Sequence, residues 1–218
     1  MMKFRLKPYI FLVCAVLLYI SCGPKIYKAP DFTRQTRGHK IVAILPSDVT
    51  IRLRPNQAAK YTQEQLLSME KETGFEIQNA IYLWLLKRSV KYEYTVKFQD
   101  VNKTNAKLKD LNIGVDELPS YDLQKLANEL QVDALISNST YMDKPMSEGA
   151  AIVVGALLGS WGATNKVKTN ISINDADSGE LLWKYDYQFS GSIGSTPDNL
   201  VTSLMRNASR KFPYQIHR

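Results

Sequence analysis

The side chain with the most specific chemistry on offer is the Cys22 thiol, set in Ser21-Cys22-Gly23 directly after an unbroken apolar run from Tyr9 to Ile20. A thiol can act as a nucleophile, bind a metal, pair into a disulfide or carry an acyl chain. The other cysteine, Cys14, lies inside the apolar run, and the two histidines, His39 and His217, stand at opposite ends of the remaining chain. There is no HExxH pattern and no second histidine at ligand spacing, so metal catalysis has no support. Asp175, Asp177 and Gly179 approximate the start of a calcium loop, but the glycine comes one place early and no glutamate closes it; a hairpin turn is the better reading. Gly191-Ser192-Ile193-Gly194-Ser195 departs from the GxSxG of an esterase elbow and reads as a flexible loop. With no phosphate-cradling glycine loop and no candidate pair of carboxylates, no catalytic residue, metal site or cofactor is expected. An envelope hydrolase acting on peptidoglycan or glycan, its site assembled from distant residues, remains the alternative.

The residues around Cys22 choose among its chemistries. Lys3, Arg5 and Lys7 precede the apolar run without an acidic residue, and small Ser21 precedes the cysteine, the order of an exported precursor's leader. As a helix the run reaches only about 18 Å, short of the roughly 30 Å hydrocarbon layer, so it is expected to be cut off. Ile20-Ser21-Cys22 resembles the lipobox of bacterial lipoproteins, with Tyr19 where that pattern prefers Leu, Val or Ile. The resemblance implies lipidation of Cys22 and removal of the leader, leaving the protein held to membrane lipid by acyl chains at about 0.8 kcal/mol per buried CH₂. Gly23 and Pro24 lack the aspartate that retains such proteins at the inner membrane of enterobacteria, which points to the outer membrane of a Gram-negative source, facing the periplasm.

The 218 residues then divide into a signal peptide (1–21), a tether (22–38) and one domain (39–218). Net charge falls from +7 to +4 once Lys3, Arg5 and Lys7 leave, with 25 basic residues facing 21 acidic ones. So mild an excess suits solubility or weak attraction to anionic lipid, not nucleic acid. With Cys14 discarded and Cys22 acylated, no thiol remains for disulfides or catalysis.

Residues 23–38 are polar, basic and broken by Pro24 and Pro30, the composition of a flexible tether. Lys40 to Pro46 is a short apolar run suited to a strand buried on both faces. Thr62 and Gln65 have capping-box spacing, as do Thr73 and Glu76, which leaves open one helix kinked at Gly74 or two. Ile77, Ile81, Trp84, Leu85 and Arg88 fall on one helical face, widened by Ala80 and Leu83, and are expected to pack on the sheet. Tyr92 to Phe98 reads as a second strand, Thr104 to Leu111 as a short helix, Leu123, Leu126, Ala127 and Leu130 as another, and Gln131 to Ile136 as a third strand. Val167, Thr169, Ile171 and Ile173 alternate, Asp175 to Gly179 turns, and Leu181 to Phe189 returns, the pattern of an antiparallel hairpin. Pro197 to Phe212 closes the chain as a helix with Leu200, Val201, Leu204, Met205 and Ala208 inward. The sum is an α/β fold, a mixed central sheet of about five strands flanked by helices.

Between the third strand and the hairpin, Ala151, Gly155, Gly159 and Ala163 recur every fourth residue within Gly149 to Ala163. On a helix they form a small-residue ridge of the kind that lets two helices approach closely. A buried helix or hairpin, a self-association or partner surface, and a lipid-dipping element are all open readings.

The order of elements, with Leu126-Ala127-Asn128-Glu129-Leu130-Gln131-Val132-Asp133-Ala134-Leu135-Ile136 and Asp177-Ser178-Gly179-Glu180-Leu181-Leu182-Trp183, resembles bacterial lipoproteins related to the curli secretion-channel subunit and the penicillin-binding-protein activator. That resemblance runs from about Ile41 to Phe212. It implies a periplasmic domain without an active site that binds envelope proteins or oligomerises; the matched motifs themselves are structural.

Overall fold

The fold is built around a strand whose last three residues no solvent reaches: in the computed structural model Val42, Ala43 and Ile44 have no exposed surface. The structure describes residues 25–53, 55–143, 166–190 and 197–216. In chain order they form β1 (Ile26–Lys28), α1 (Phe32–Gln35), β2 (Ile41–Ile44), β3 (Asp48–Arg52), α2 (Pro55–Ala58), α3 (Gln63–Ser89), β4 (Lys97–Phe98), α4 (Val101–Asp110), α5 (Leu123–Leu130), β5 (Ala134–Asp143), β6 (Lys166–Asp175), β7 (Leu181–Ser190) and α6 (Pro197–Ala208).

The strands make one mixed sheet in the order β1-β7-β6-β5-β2-β4, with β3 also paired to β5. β5, β6 and β7 form an antiparallel meander, whereas β2 and β3 lie parallel to successive halves of β5. The five expected strands are present, although the one expected over Tyr92 to Phe98 is confined to Lys97–Phe98; β1 and β3 are additional. Alternation along β2 divides the core in two. Val42 and Ile44 join Ile77, Ile81 and Leu85 of α3 and Leu200, Leu204 and Met205 of α6. Ala43 and Leu45 join Leu108 of α4 and Leu126, Ala127 and Leu130 of α5. Helices therefore cover both faces where β2 sits, as a strand with two apolar faces requires.

The stretch read from the sequence as a tether is built into the fold over its described part. β1 adds antiparallel to β7, Ile26 opposite Tyr185 and Lys28 opposite Trp183, and Phe32 is buried in the larger core. Lone β1 would be too short to persist; the edge of β7 supplies the hydrogen bonds that hold it.

Two other features depart from the sequence reading. α3 runs unbroken for 27 residues through Gly74, and Thr73 donates its hydroxyl to the Met69 carbonyl at 2.7 Å instead of capping a second helix. Leu83, expected on the buried face, points outward. The cap at Thr62 is as expected, its side chain accepting from the Gln65 N–H while the Gln65 side chain accepts from the Thr62 N–H. β5 follows α5 with almost no connection because Gln131 takes the left-handed conformation (φ 57°) that ends the helix, and Asp133 then accepts the N–H groups of Lys40 and Ile41 at 2.7 and 2.8 Å. The aspartate of the matched motif thus pins the entry to β2.

Candidate interaction surface

Among the described residues no group of three or more His, Cys, Asp or Glu side chains could hold a metal ion, and no helix is long and apolar enough to cross a membrane. Cys22 and the ridge Ala151, Gly155, Gly159 and Ala163 lie outside the described residues. The domain also holds two buried polar groups and one exposed helix face.

The first buried group joins parts of the chain that no sequence pattern links. His39 Nδ1 lies 2.7 Å from the Tyr214 hydroxyl and Nε2 lies 2.8 Å from Asp175 Oδ1. Burial raises the Asp175 carboxyl, but the Ser178 hydroxyl and N–H, both donating to Oδ2 at 2.8 Å, and His39 outweigh it and hold the pKa below the ordinary carboxylate range. Burial, with Asp175 and Asp133 nearby, keeps the Tyr214 hydroxyl protonated far above its usual range. Nε2–H donates to the carboxylate, and Nδ1 and the Tyr214 hydroxyl share the second hydrogen bond. A histidine between a carboxylate and a hydroxyl has the parts of a proton relay. These three, however, are 9%, 7% and 1% exposed, leaving no face for a substrate. The trio is a clasp joining the start of the domain, the hairpin turn and the C-terminal segment. Asp175, through Ser178, also shapes the turn in which Gly179 takes φ +71°.

The second group lies where α3 crosses the sheet. Ser47 donates through Oγ to Asn138 Oδ1, Thr140 donates to the same oxygen at 2.9 Å, and Asn138 Nδ2 donates to Thr169 Oγ1 at 3.1 Å and to the Asn170 carbonyl. Directly above, Ser47 N–H donates to the Gly74 carbonyl at 3.0 Å. Every side-chain polar atom of Asn138 is engaged, so this too is structural.

The exposed face belongs to α3 beyond that crossing. Its inner side carries Ile77, Ile81 and Leu85, together with Gln78, whose Nε2 reaches the Ile44 carbonyl at 2.7 Å. Its outer side presents Glu72, Glu76, Asn79, Leu83, Leu86 and Val90, spaced alternately four and three apart and all exposed. That spacing puts them in one stripe along the helix. Leu83, Leu86 and Val90 are 53%, 39% and 89% exposed, a concentration of apolar surface at one end of one helix. The Arg88 guanidinium stands 5.1 Å from the Trp84 ring and 4.1 Å from the Tyr92 ring, which stiffens this end. Beyond it a shallow cleft of about 360 Å³ opens between Ser89–Glu93 and Gln215–Ile216.

The stronger sequence periodicity placed Leu83 on the core side, and this surface was missed. The available signal was the second heptad-like row 72-76-79-83-86-90, masked by the stronger stripe at Ile77, Ile81 and Leu85.

No protein-family model matches the chain, and no curated protein matches it. Solved structures do. They include lipoprotein GNA1162 from Neisseria meningitidis (10% identity, covering 79% of this chain and 95% of that one, TM-score 0.45). They also include the PelC dodecamer from Paraburkholderia phytofirmans (13% identity, 90% and 99%, TM-score 0.42). A third is the LpoB C-terminal domain from Salmonella enterica (9% identity, 74% and 93%, TM-score 0.33). A bacterial lipoprotein is among these structures.

Proposed function

We propose that the chain is an accessory protein of the bacterial cell envelope, anchored to membrane lipid through acylated Cys22 and acting through contacts of its folded domain with other envelope proteins or with itself. The observation that carries this reading is the outer face of α3, where Leu83, Leu86 and Val90 stand in solvent beside a buried face that already satisfies the core. An apolar row kept on the outside of a well-packed domain marks a contact surface more readily than a site of turnover. Supporting it, the two polar clusters with the parts of catalytic groups are closed off and fully engaged.

The small-residue ridge Ala151, Gly155, Gly159 and Ala163 belongs to the same reading as a second contact surface. Crosslinking the full chain in its native membranes tests both. Adducts to itself or to envelope proteins support the reading, and loss of adducts with Gly155→Leu or Gly159→Leu assigns the ridge to it. Turnover of peptidoglycan or a glycan by the purified protein, with no adducts, would replace this reading by that of a hydrolase.

A further inference from the structure

The outer stripe of α3 is divided by charge. Its first half carries Glu72 and Glu76, its second half Leu83, Leu86 and Val90 flanked by Lys87 and Lys91. Partial burial, then repulsion from Glu72 and Asp198, raises the Glu76 carboxyl above its ordinary value. Among the described residues neither Glu76 nor Lys87 has an ion-pair partner.

We propose that this stripe is the contact surface for a second copy of the same chain, the two α3 helices packing antiparallel about a twofold axis near Leu83. The proposal rests on the accessory reading above and names the surface and the partner. A surface with unlike halves complements itself when one copy is turned end over end, which is the condition for a twofold interface. With 1.5 Å rise per residue, Glu76 lies about 10 Å to one side of Leu83, while Lys87 and Lys91 lie about 6 and 12 Å to the other. Turning one helix about Leu83 therefore sets Glu76 of each copy between Lys87 and Lys91 of the other. Flank matches as well as height. Eleven residues separate Glu76 from Lys87, close to three full turns, so both stand on the same side of the stripe, and in an antiparallel pair like flanks meet. Leu83 meets its own counterpart at the axis, with Leu86 of each copy beside it. The alternating four-and-three spacing is what knobs-into-holes packing of two helices requires. A surface with only three apolar residues per copy makes a weak pair in dilute solution. Confinement to one bilayer by the proposed lipid anchor raises the effective concentration that such a pair needs.

The test is cysteine crosslinking of the full chain expressed in its own envelope. Leu83→Cys is expected to give a disulfide-linked dimer under mild oxidation, and Lys71→Cys, on the same helix but off the stripe, is not. Adding Lys87→Glu and Lys91→Glu is expected to lower the dimer yield about tenfold, because each charge contact occurs twice across the axis. Adding Glu76→Lys to that triple variant reverses the remaining charge and is expected to restore it. Circular dichroism confirms that the exposed substitutions leave the fold intact. Absence of the Leu83→Cys dimer, or a dimer indifferent to the charge reversals, overturns the proposal. If crosslinks to the chain itself or to envelope proteins then form elsewhere on the domain, this surface is lost while the accessory reading stands; if none form anywhere, both are lost.

Discussion

His39 and Asp175 stand 136 positions apart in the chain and meet at 2.8 Å, closing the N-terminal entry of the domain onto its last hairpin. The carboxylate is held in its charged form by Ser178 and His39 against the effect of burial. A group whose folded pKa is depressed adds stability above its unfolded pKa, about 4 for aspartate, and loses it as pH falls through the folded value. Asp175→Asn is therefore expected to cost about 2 kcal/mol at neutral pH, the scale of a broken buried charged hydrogen bond. The gap between variant and parent should narrow below about pH 4. Urea unfolding at pH 7 and pH 3 checks both parts; an equal cost at both would show that the charge of Asp175 plays no role.

Gly74 has a second constraint of a different kind. A glycine inside a helix usually gains about 1 kcal/mol on replacement by alanine. Here a Cβ would press on the Ser47 carbonyl, a backbone atom that is itself fixed by the hydrogen bond from Ser47 N–H to Gly74. Gly74→Ala is expected to reverse the usual sign and destabilise by about 1–3 kcal/mol, the cost of forcing a well-packed contact apart. A shift of the urea midpoint to lower concentration at constant slope measures it.

Asn138 holds Ser47, Thr140 and Thr169 in one network that joins the β2–β3 connection to β5 and β6. Asn138→Ala leaves buried hydroxyls short of partners and is expected to cost about 3 kcal/mol. Ser47→Ala, at the network's edge, is expected to cost about 1 kcal/mol. Calorimetric melting of both variants ranks them, and a larger loss for Ser47 would place the network's centre elsewhere.

Cys22→Ala is expected to move the chain from the membrane fraction to the soluble one and to abolish the lipid-sized mass increment at the mature N-terminus, since removing the acyl chains removes the anchor. Fractionation with mass spectrometry of the processed chain reads this out.

The parts of the fold legible in the sequence are those decided by near neighbours. Thr62 and Gln65 cap α3, Leu126, Ala127 and Leu130 form the inner face of α5, and Val167, Thr169, Ile171 and Ile173 share a face of β6. What escaped was decided at a distance. The glycine inside this continuous helix is explained by Ser47, which approaches too closely for a Cβ, whereas the local signal at Gly74 allowed a kink or a break. β1 exists because β7 offers an open edge, although Pro24 and Pro30 around it read as linker. His39 gained its role from residues 136 and 175 positions away. β3 did carry a local signal, Val49 and Ile51 alternating with Asp48, Thr50 and Arg52, but so few residues did not stand out beside the apolar run before them.

The early placement of β1 sets how far the body would hang from the proposed anchor at Cys22. Asp186 donates its N–H to the Lys25 carbonyl at 3.0 Å, and the strand begins at Ile26. Four residues from Cys22 to Ile26 reach at most about 14 Å when drawn straight. With acyl chains on that cysteine the clearance is less than the thickness of the domain itself. If Cys22 carries the proposed anchor, whatever this protein engages must come to the bilayer surface to be engaged, because so short a leash delivers the domain nowhere else.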